Sequence, residues 1–221
     1  MPGILSHALF GDKVYRKIAN TYFLDKVDFL SGNLIPDLAP DKSLTHYYVS
    51  TSIDGILIPN LKLAKKELLD IDNSVKLGMF CHIYLDYYFI RDVLIPTFNW
   101  DSKNHKVCNS KKHKTWEFNS FFSQNGLYGF YTTSNQLILK KQLISLITIG
   151  IIPDQLPLSG IPSFDLRRTK SWRDELKEYL SQSIPYTEEV FELNFFWEFI
   201  DKKSEDFKNY VFSNCPAPIP E

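Results

Sequence analysis

The chain has 221 residues, a length typical of one domain or of one domain with an elaboration. Its hydrophobic content of 44% and its 17 Phe, 12 Tyr and 4 Trp are enough to form a large core, which excludes a disordered or solvating chain. The 25 Lys and Arg nearly balance the 26 Asp and Glu, so overall charge does not direct the protein to nucleic acid or to an anionic membrane. We expect a globular protein with no stable nucleic-acid binding.

The three cysteines, Cys81, Cys108 and Cys215, have neither zinc-ribbon nor redox spacing, which favours reduced thiols over disulfides. The first 25 residues mix charged and apolar side chains, unlike a signal peptide, and no later window has 18 uncharged apolar residues. The sequence therefore predicts a soluble, cytoplasmic protein with no membrane span. It indicates no oligomeric state.

Nine glycines and apolar residues spaced three and four apart favour helices over strands. We predict an all-α fold, with residues 1–221 forming a single helical domain. The predicted helices are 12–30, 60–70, 74–96, 116–122, 135–149, 167–182 and 187–212. Between them we expect a loop over 32–48, broken by Pro36 and Pro40, a polar and basic connection over 99–114, a loop or lid over 153–165, and an extended tail over 213–221.

The predicted helix 74–96 is apolar on nearly every face, which is typical of a central buried helix, yet it carries His82 and Asp86. These residues are four apart, so their side chains lie within about 40° of each other on one face. A buried His and Asp need partners, and a divalent metal satisfies both at once. The alternative is a core His hydrogen-bonded to Asp.

Other candidate ligands surround this pair in the sequence. His113 and Glu117 are also four apart, near the start of a predicted helix, where the alternative is an ordinary solvated pair. Asp37 and His46 lie in the predicted loop, and irregular backbone can aim a ligand freely. His7 precedes the first predicted helix, and its alternative role is packing near the N-terminus.

In this order, His7, Asp37, His46, His82, Asp86, His113 and Glu117 resemble the ligands of the zinc-dependent phospholipase C and single-strand nuclease superfamily. The segments MPGILSHALFG, DLAPDKSLTHY and GMFCHIYLDYYF look like its short cytoplasmic bacterial members. The resemblance implies an all-helical fold, a zinc cluster held by those seven residues, and phosphoester hydrolysis by a metal-bound hydroxide. It also implies that Asp37 is catalytic, as proton acceptor or as the group that orients the hydroxide, besides being a ligand.

The sequence departs from that family at Asp92, which stands where the family has a further His of the central helix. An ideal helix turns Asp92 about 120° away from Asp86, so its use as a ligand requires a bend. The alternative is an exposed Asp beside Arg91. With Asp92, His113 and Glu117 as ligands, the second site is rich in oxygen, which favours Mn, Fe or Mg there and Zn at the first site. The family's N-terminal Trp is also absent, although the Pro2 amine could take the place of its terminal amine.

We expect the substrate to be a small anionic phosphoester. A lysine-rich run over 103–114 could attract it, or be a solvated loop, and five tyrosines could line its pocket or belong to the core: Tyr47, Tyr48, Tyr84, Tyr87 and Tyr88. The competing hypothesis is a catalytically inactive metal-binding or scaffold member of the same fold. A phosphohydrolase with an adjacent His-Asp pair is excluded, because no His is followed directly by Asp.

Overall fold

The computed structural model describes residues 2–39, 42–51, 53, 55–141 and 190–215. The helices in this part of the chain are α1 (Ile4–Tyr22), α2 (Lys26–Leu38), α3 (Lys42–His46), α4 (Leu61–Leu68), α5 (Ser74–Phe89), α6 (Ile95–Thr97), α7 (Phe118–Phe121), α8 (Leu127–Lys140) and α9 (Leu193–Asn214). A π-helical turn, Ile90–Leu94, joins α5 to α6. The strands are β1 (Tyr48–Ser50), β2 (Leu57–Pro59), β3 (Asn99–Asp101), β4 (Lys106–Asn109) and β5 (Lys114–Glu117).

The all-α prediction is wrong, because these strands form two antiparallel sheets. Strands β1 and β2 make a hairpin, and β3, β4 and β5 make a three-stranded sheet in that order. In the larger sheet the cross-strand partners Val107 and Trp116 are buried, and Trp116 contacts the Phe98 and Phe121 rings. These apolar contacts attach a short, polar sheet to the core.

The predicted first helix, 12–30, is divided between two helices, α1 and α2, in the structure. Helix α1 begins eight residues earlier than expected, at Ile4, and ends at Tyr22, where the next residue, Phe23, has a left-handed φ of 53°. Asp25 then caps α2 by accepting a hydrogen bond from the Asp28 backbone N–H. His7 therefore lies inside α1 and not before it.

The predicted loop over 32–48 is also largely helical. Helix α2 continues through Pro36 to Leu38, and α3 includes His46. Proline removes one helical hydrogen bond, but packing of α2 against α5 and α1 outweighs that loss. As a result Asp37 and His46 are carried by helices, which is a more rigid placement than a loop.

The central buried helix is confirmed as α5. It is capped by Asn73, which accepts from the Lys76 N–H, and it packs against α1, α2, α4 and α9. The predicted helix 60–70 is confirmed as α4, capped by Asn60. The described residues share one hydrophobic core, which surrounds α5.

Helices α2 and α5 touch through their backbones. A Cβ added at Gly78 would collide with the Phe29 carbonyl oxygen, and one added at Gly32 would collide with the Val75 carbonyl oxygen. The two glycines are therefore required by the close approach itself. This approach brings the polar residues of α5 next to the backbone of α2.

Some of the elements predicted for the second half of the chain lie outside the described residues. The predicted helix 116–122 divides into β5 and α7, and the described part of 135–149 falls in α8, which begins at Leu127. Residues 142–189, which include the predicted loop 153–165 and helix 167–182, lie outside. That range also contains residues 187–189, where the last predicted helix begins, and residues 216–221 lie outside as well. Helix α9 continues to Asn214, so the predicted tail begins too early at 213.

None of the described helices is long and apolar enough to cross a lipid bilayer.

Substituting Gly78→Ala should destabilise the protein by about 1–3 kcal/mol, because the added methyl group meets backbone atoms that cannot rotate away. Asn20→Ala, on the exposed side of α1, is the control and should change the stability by less than about 0.5 kcal/mol. Urea unfolding curves measure both. An unchanged midpoint for Gly78→Ala would show that α2 and α5 are farther apart than described.

Candidate metal centre

Helices α1, α2, α3 and α5 bring five of the predicted site residues to one place. The five are His7 of α1, Asp37 of α2, His46 of α3, and His82 and Asp86 of α5. Four of these side chains are fully buried, and Asp37 is 11% exposed. Because these residues come from separate helices, their meeting depends on the packing around α5.

Two backbone carbonyl groups orient the imidazoles of His46 and His82. His82 Nδ1 lies 2.8 Å from the Asn33 carbonyl oxygen, and His46 Nδ1 lies 3.1 Å from the Lys42 carbonyl oxygen. A carbonyl oxygen only accepts hydrogen bonds, so a proton on Nδ1 satisfies it in each ring. His46 Nδ1 also lies 3.1 Å from the Thr45 hydroxyl, which can donate to the Pro36 carbonyl and leave Nδ1 its proton. In the neutral rings, both Nε2 atoms therefore present lone pairs. Metal-binding histidines are commonly held in this way.

These two Nε2 atoms lie 3.3 Å apart in the buried interior. With both protons on Nδ1, two lone pairs this close are stabilised by a cation between them, either a proton or a metal ion. For a tetrahedral ion with bonds of 2.0–2.1 Å to nitrogen, the two nitrogens should be about 3.3 Å apart. Asp86 Oδ2 lies 3.5 Å from each Nε2 atom and completes a triangle of donors of suitable size.

Asp86 and His7 extend this arrangement. The other oxygen of Asp86, Oδ1, lies 3.1 Å from His7 Nε2, but the pair lacks hydrogen-bond geometry. The His7 ring stacks on the His82 ring with centroids 3.6 Å apart. Both ring nitrogens of His7 and both oxygens of Asp86 are buried without a hydrogen-bond partner. Buried polar atoms of this kind are costly unless something binds them.

Two overlapping groups of described residues could hold a metal ion: His46, His82 and Asp86, and His7, Asp37 and His82. His82 belongs to both groups but has one inward nitrogen, so a single ion uses it at a time. A second ion would depend on His7, Asp37 and the Oδ1 atom of Asp86. The donor atoms, imidazole nitrogens and carboxylate oxygens, fit zinc and other divalent transition metals.

Charge and burial act against each other at this centre. Burial alone would raise the pKa of Asp86, but His7 and His82 hold it well below its usual value, so the carboxylate is ionised. Burial lowers the pKa of His46 to about 4. Burial acts to lower the pKa of His82 too, but Asp86 and Asp37 outweigh it and raise that pKa. Of the three clustered imidazoles, His82 is thus the one whose protonated form is favoured.

Asp37 connects this centre to an open cavity of about 590 Å³. Its Oδ1 atom lies 3.7 Å from His46 Nε2 and 2.8 Å from Lys42 Nζ, and both Asp37 and Lys42 line the cavity. Burial would raise the pKa of Asp37, but His82, Lys42 and His7 lower it to about 2. A solute in the cavity can therefore reach the edge of the buried cluster.

Of the five tyrosines singled out in the sequence, Tyr48 lines this cavity, and its ring stacks on His46 at a centroid distance of 5.1 Å. Tyr84 belongs to the core, where it contacts Phe207. Sequence reasoning missed Lys42, Tyr128 and Tyr131 as cavity residues. Lys42 and His46 are four apart on α3, and this spacing was the one available signal.

The structure does not bring Asp92, His113 and Glu117 together. They belong to neither metal-binding group among the described residues. Asp92, in the π-helical turn, pairs instead with Arg91 and with Lys203 of α9, whose Nζ lies 3.1 Å from its Oδ2. The π-helical turn departs from an ideal helix at Asp92, but the carboxylate pairs with these cations and not with the cluster.

His113 and Glu117 were expected near the start of a helix, and no described helix contains either of them. Glu117 ends β5, and His113 lies in the turn before it with a φ of 51°. Four residues of extended chain span about 13 Å, too far for a shared ion. Both side chains are exposed, and Glu117 lies 3.9 Å from Lys106 of the neighbouring strand. The lysine-rich run belongs to this same sheet, and none of its lysines is among the described residues lining the cavity.

No protein-family model, curated protein or solved structure matches this chain.

If a metal ion occupies the centre, a chelator should lower the wild-type melting temperature by about 5–10 °C, because the ion binds the folded state. The same chelator should barely affect Asp86→Ala, since the ion and its buried carboxylate are then both absent. His113→Ala is the matched control and should respond like the wild type. Thermal unfolding with and without chelator measures all three, and equal shifts in wild type and Asp86→Ala would exclude Asp86 as a ligand.

Metal binding should release protons and weaken as the pH falls. Asp86 and Asp37 raise the pKa of His82, so the metal-free ring is protonated at about pH 6 and a metal ion must displace that proton. We expect release of up to about one proton per ion at about pH 6, decreasing once the pH rises above the pKa of His82. Titration calorimetry in buffers of different ionisation enthalpy measures this release. Binding without proton release at about pH 6 would contradict the assignment of His82.

Proposed function

We propose that this chain is a metal-dependent phosphoester hydrolase, with zinc as its first metal. The observation that carries the proposal is the 3.3 Å approach of His46 Nε2 and His82 Nε2 beside the ionised Asp86 carboxylate. Asp37 extends from this cluster to the wall of a cavity, so the cluster has an accessible edge.

When bound, a zinc ion supplies Lewis-acid chemistry, by drawing charge from a phosphoryl oxygen and acidifying water. The residues of the chain would do the rest. His46 and His82 hold their lone pairs inward, because the Lys42 and Asn33 carbonyl groups fix their Nδ1 protons. Asp37, at the cavity wall, is placed to accept a hydrogen bond from the attacking water and to orient it.

The cavity supports a small organic phosphoester as substrate. Its volume is within the usual range of about 300–1,000 Å³ for ligand sites. Much of its wall is apolar or aromatic, including Leu127, Tyr128 and Tyr131, while Asp37 and Lys42 are charged. The phosphate would lie near Asp37 and Lys42, and the organic group would pack against the aromatic rings.

The resemblance to zinc-dependent phospholipases C and single-strand nucleases supports the same proposal, because five residues in the order of that family meet in space. The smaller ligand set favours a second candidate, a catalytically inactive metal-binding protein. Without Asp92, His113 and Glu117, the described chain offers fewer ligands than the resemblance implies. An ion held by so few ligands could stabilise the fold without taking part in catalysis.

The two candidates differ in activity and agree in metal content. Protein purified without chelator should contain zinc by elemental analysis and should hydrolyse p-nitrophenyl phosphate or bis-p-nitrophenyl phosphate. His82→Ala should lose both metal and activity. Asp37→Asn should lose about 100-fold or more in kcat/KM, because it loses the charge that orients the water.

His113→Ala and Asp92→Asn serve as controls and should keep both metal and activity, since they lie outside the cluster. Bound metal without hydrolysis of any phosphomonoester or phosphodiester would favour the inactive metal-binding protein. Less than about a tenth of an equivalent of metal in the wild type would contradict both candidates.

A further inference from the structure

Lys42 is the one cationic side chain among the described residues that line the cavity. It is the first residue of α3, and its backbone carbonyl accepts the hydrogen bond of His46 Nδ1. The base of the side chain is therefore held beside the metal centre. Its four-carbon stem is flexible, and the side chain is 46% exposed, so the ammonium group is accessible to a solute.

In this structure the Lys42 ammonium group donates to Asp37 Oδ1 at 2.8 Å. The same oxygen faces His46 Nε2 at 3.7 Å, on the side of the buried cluster. The Asp37 carboxylate is thus shared between a cation in the cavity and the position of a metal ion. An ion bound to Asp37 would neutralise much of the carboxylate charge. The Lys42 ammonium group would then lack a full counter-charge and could pair with another anion.

We propose that Lys42 binds the phosphate group of the substrate, next to the metal centre. This inference rests on the proposed hydrolase function. A phosphate in the cavity has oxygens directed to several sides, so one would face an ion held by the cluster while another accepts a hydrogen bond from Lys42 Nζ. Lys42 thereby restricts the cavity to anionic substrates.

The competing role for Lys42 is structural, as a partner that holds Asp37 in place. The two roles predict different results. A structural partner matters for metal content, because it orients a ligand. A phosphate-binding group matters for anion affinity at constant metal content.

The experiment measures binding of inorganic phosphate to zinc-loaded protein by titration calorimetry, after desalting and after the zinc content is determined. In Lys42→Met we expect phosphate affinity to fall about tenfold or more at unchanged zinc content, because a charged hydrogen bond is lost. Lys42→Arg keeps the charge and should stay within about threefold of the wild type. Lys66→Met removes an exposed lysine of α4 and is the matched control, with no expected change.

Equal phosphate affinity in Lys42→Met and wild type would overturn the inference, and so would a fall in affinity that follows a fall in zinc content. Lys42→Gln gives the same measurement if the Met variant does not fold. Wild-type protein that holds zinc but does not bind phosphate would also overturn the inference about Lys42. That result would leave the assignment of the metal centre unaffected. Absence of zinc in the wild type would instead be a failure of the proposed function itself.

Discussion

The hydrogen bond from His82 Nδ1 to the Asn33 carbonyl oxygen is the interaction on which the centre depends. It fixes the ring tautomer and turns Nε2 toward His46 and Asp86. It exists because α2 and α5 touch at Gly32 and Gly78, where any side chain would separate the two helices. Main-chain packing between two helices thus decides how the His82 imidazole is oriented.

The part of the site predictable from sequence was the part governed by helical spacing. His82 and Asp86 are four apart on an apolar helix, and they meet on one face as that spacing requires. Their convergence with His7, Asp37 and His46 depends on tertiary packing, which local sequence patterns do not reveal. The order of these residues, through a family resemblance, was the one signal that joined them.

The failures have physical causes as well. Pro36 suggested a loop, but tertiary packing kept α2 helical through it, so Asp37 and His46 are on helices. The sheet of β3, β4 and β5 was missed because its strands are short and polar, and Val107 and Trp116 are too few to show a period of two. With the sheet missed, His113 and Glu117 were assigned a helical spacing that they do not have.

The five clustered side chains come from positions 7 to 86 of the chain, and they meet after α1, α2, α3 and α5 have docked. An ion that needs donors from several of these helices has little affinity for a chain in which the helices are formed but not yet packed. Its binding would therefore slow the unfolding rate far more than it would accelerate folding. Once loaded, such a protein would remain folded for longer, because the contacts to the ion would be lost before the unfolding transition state is reached.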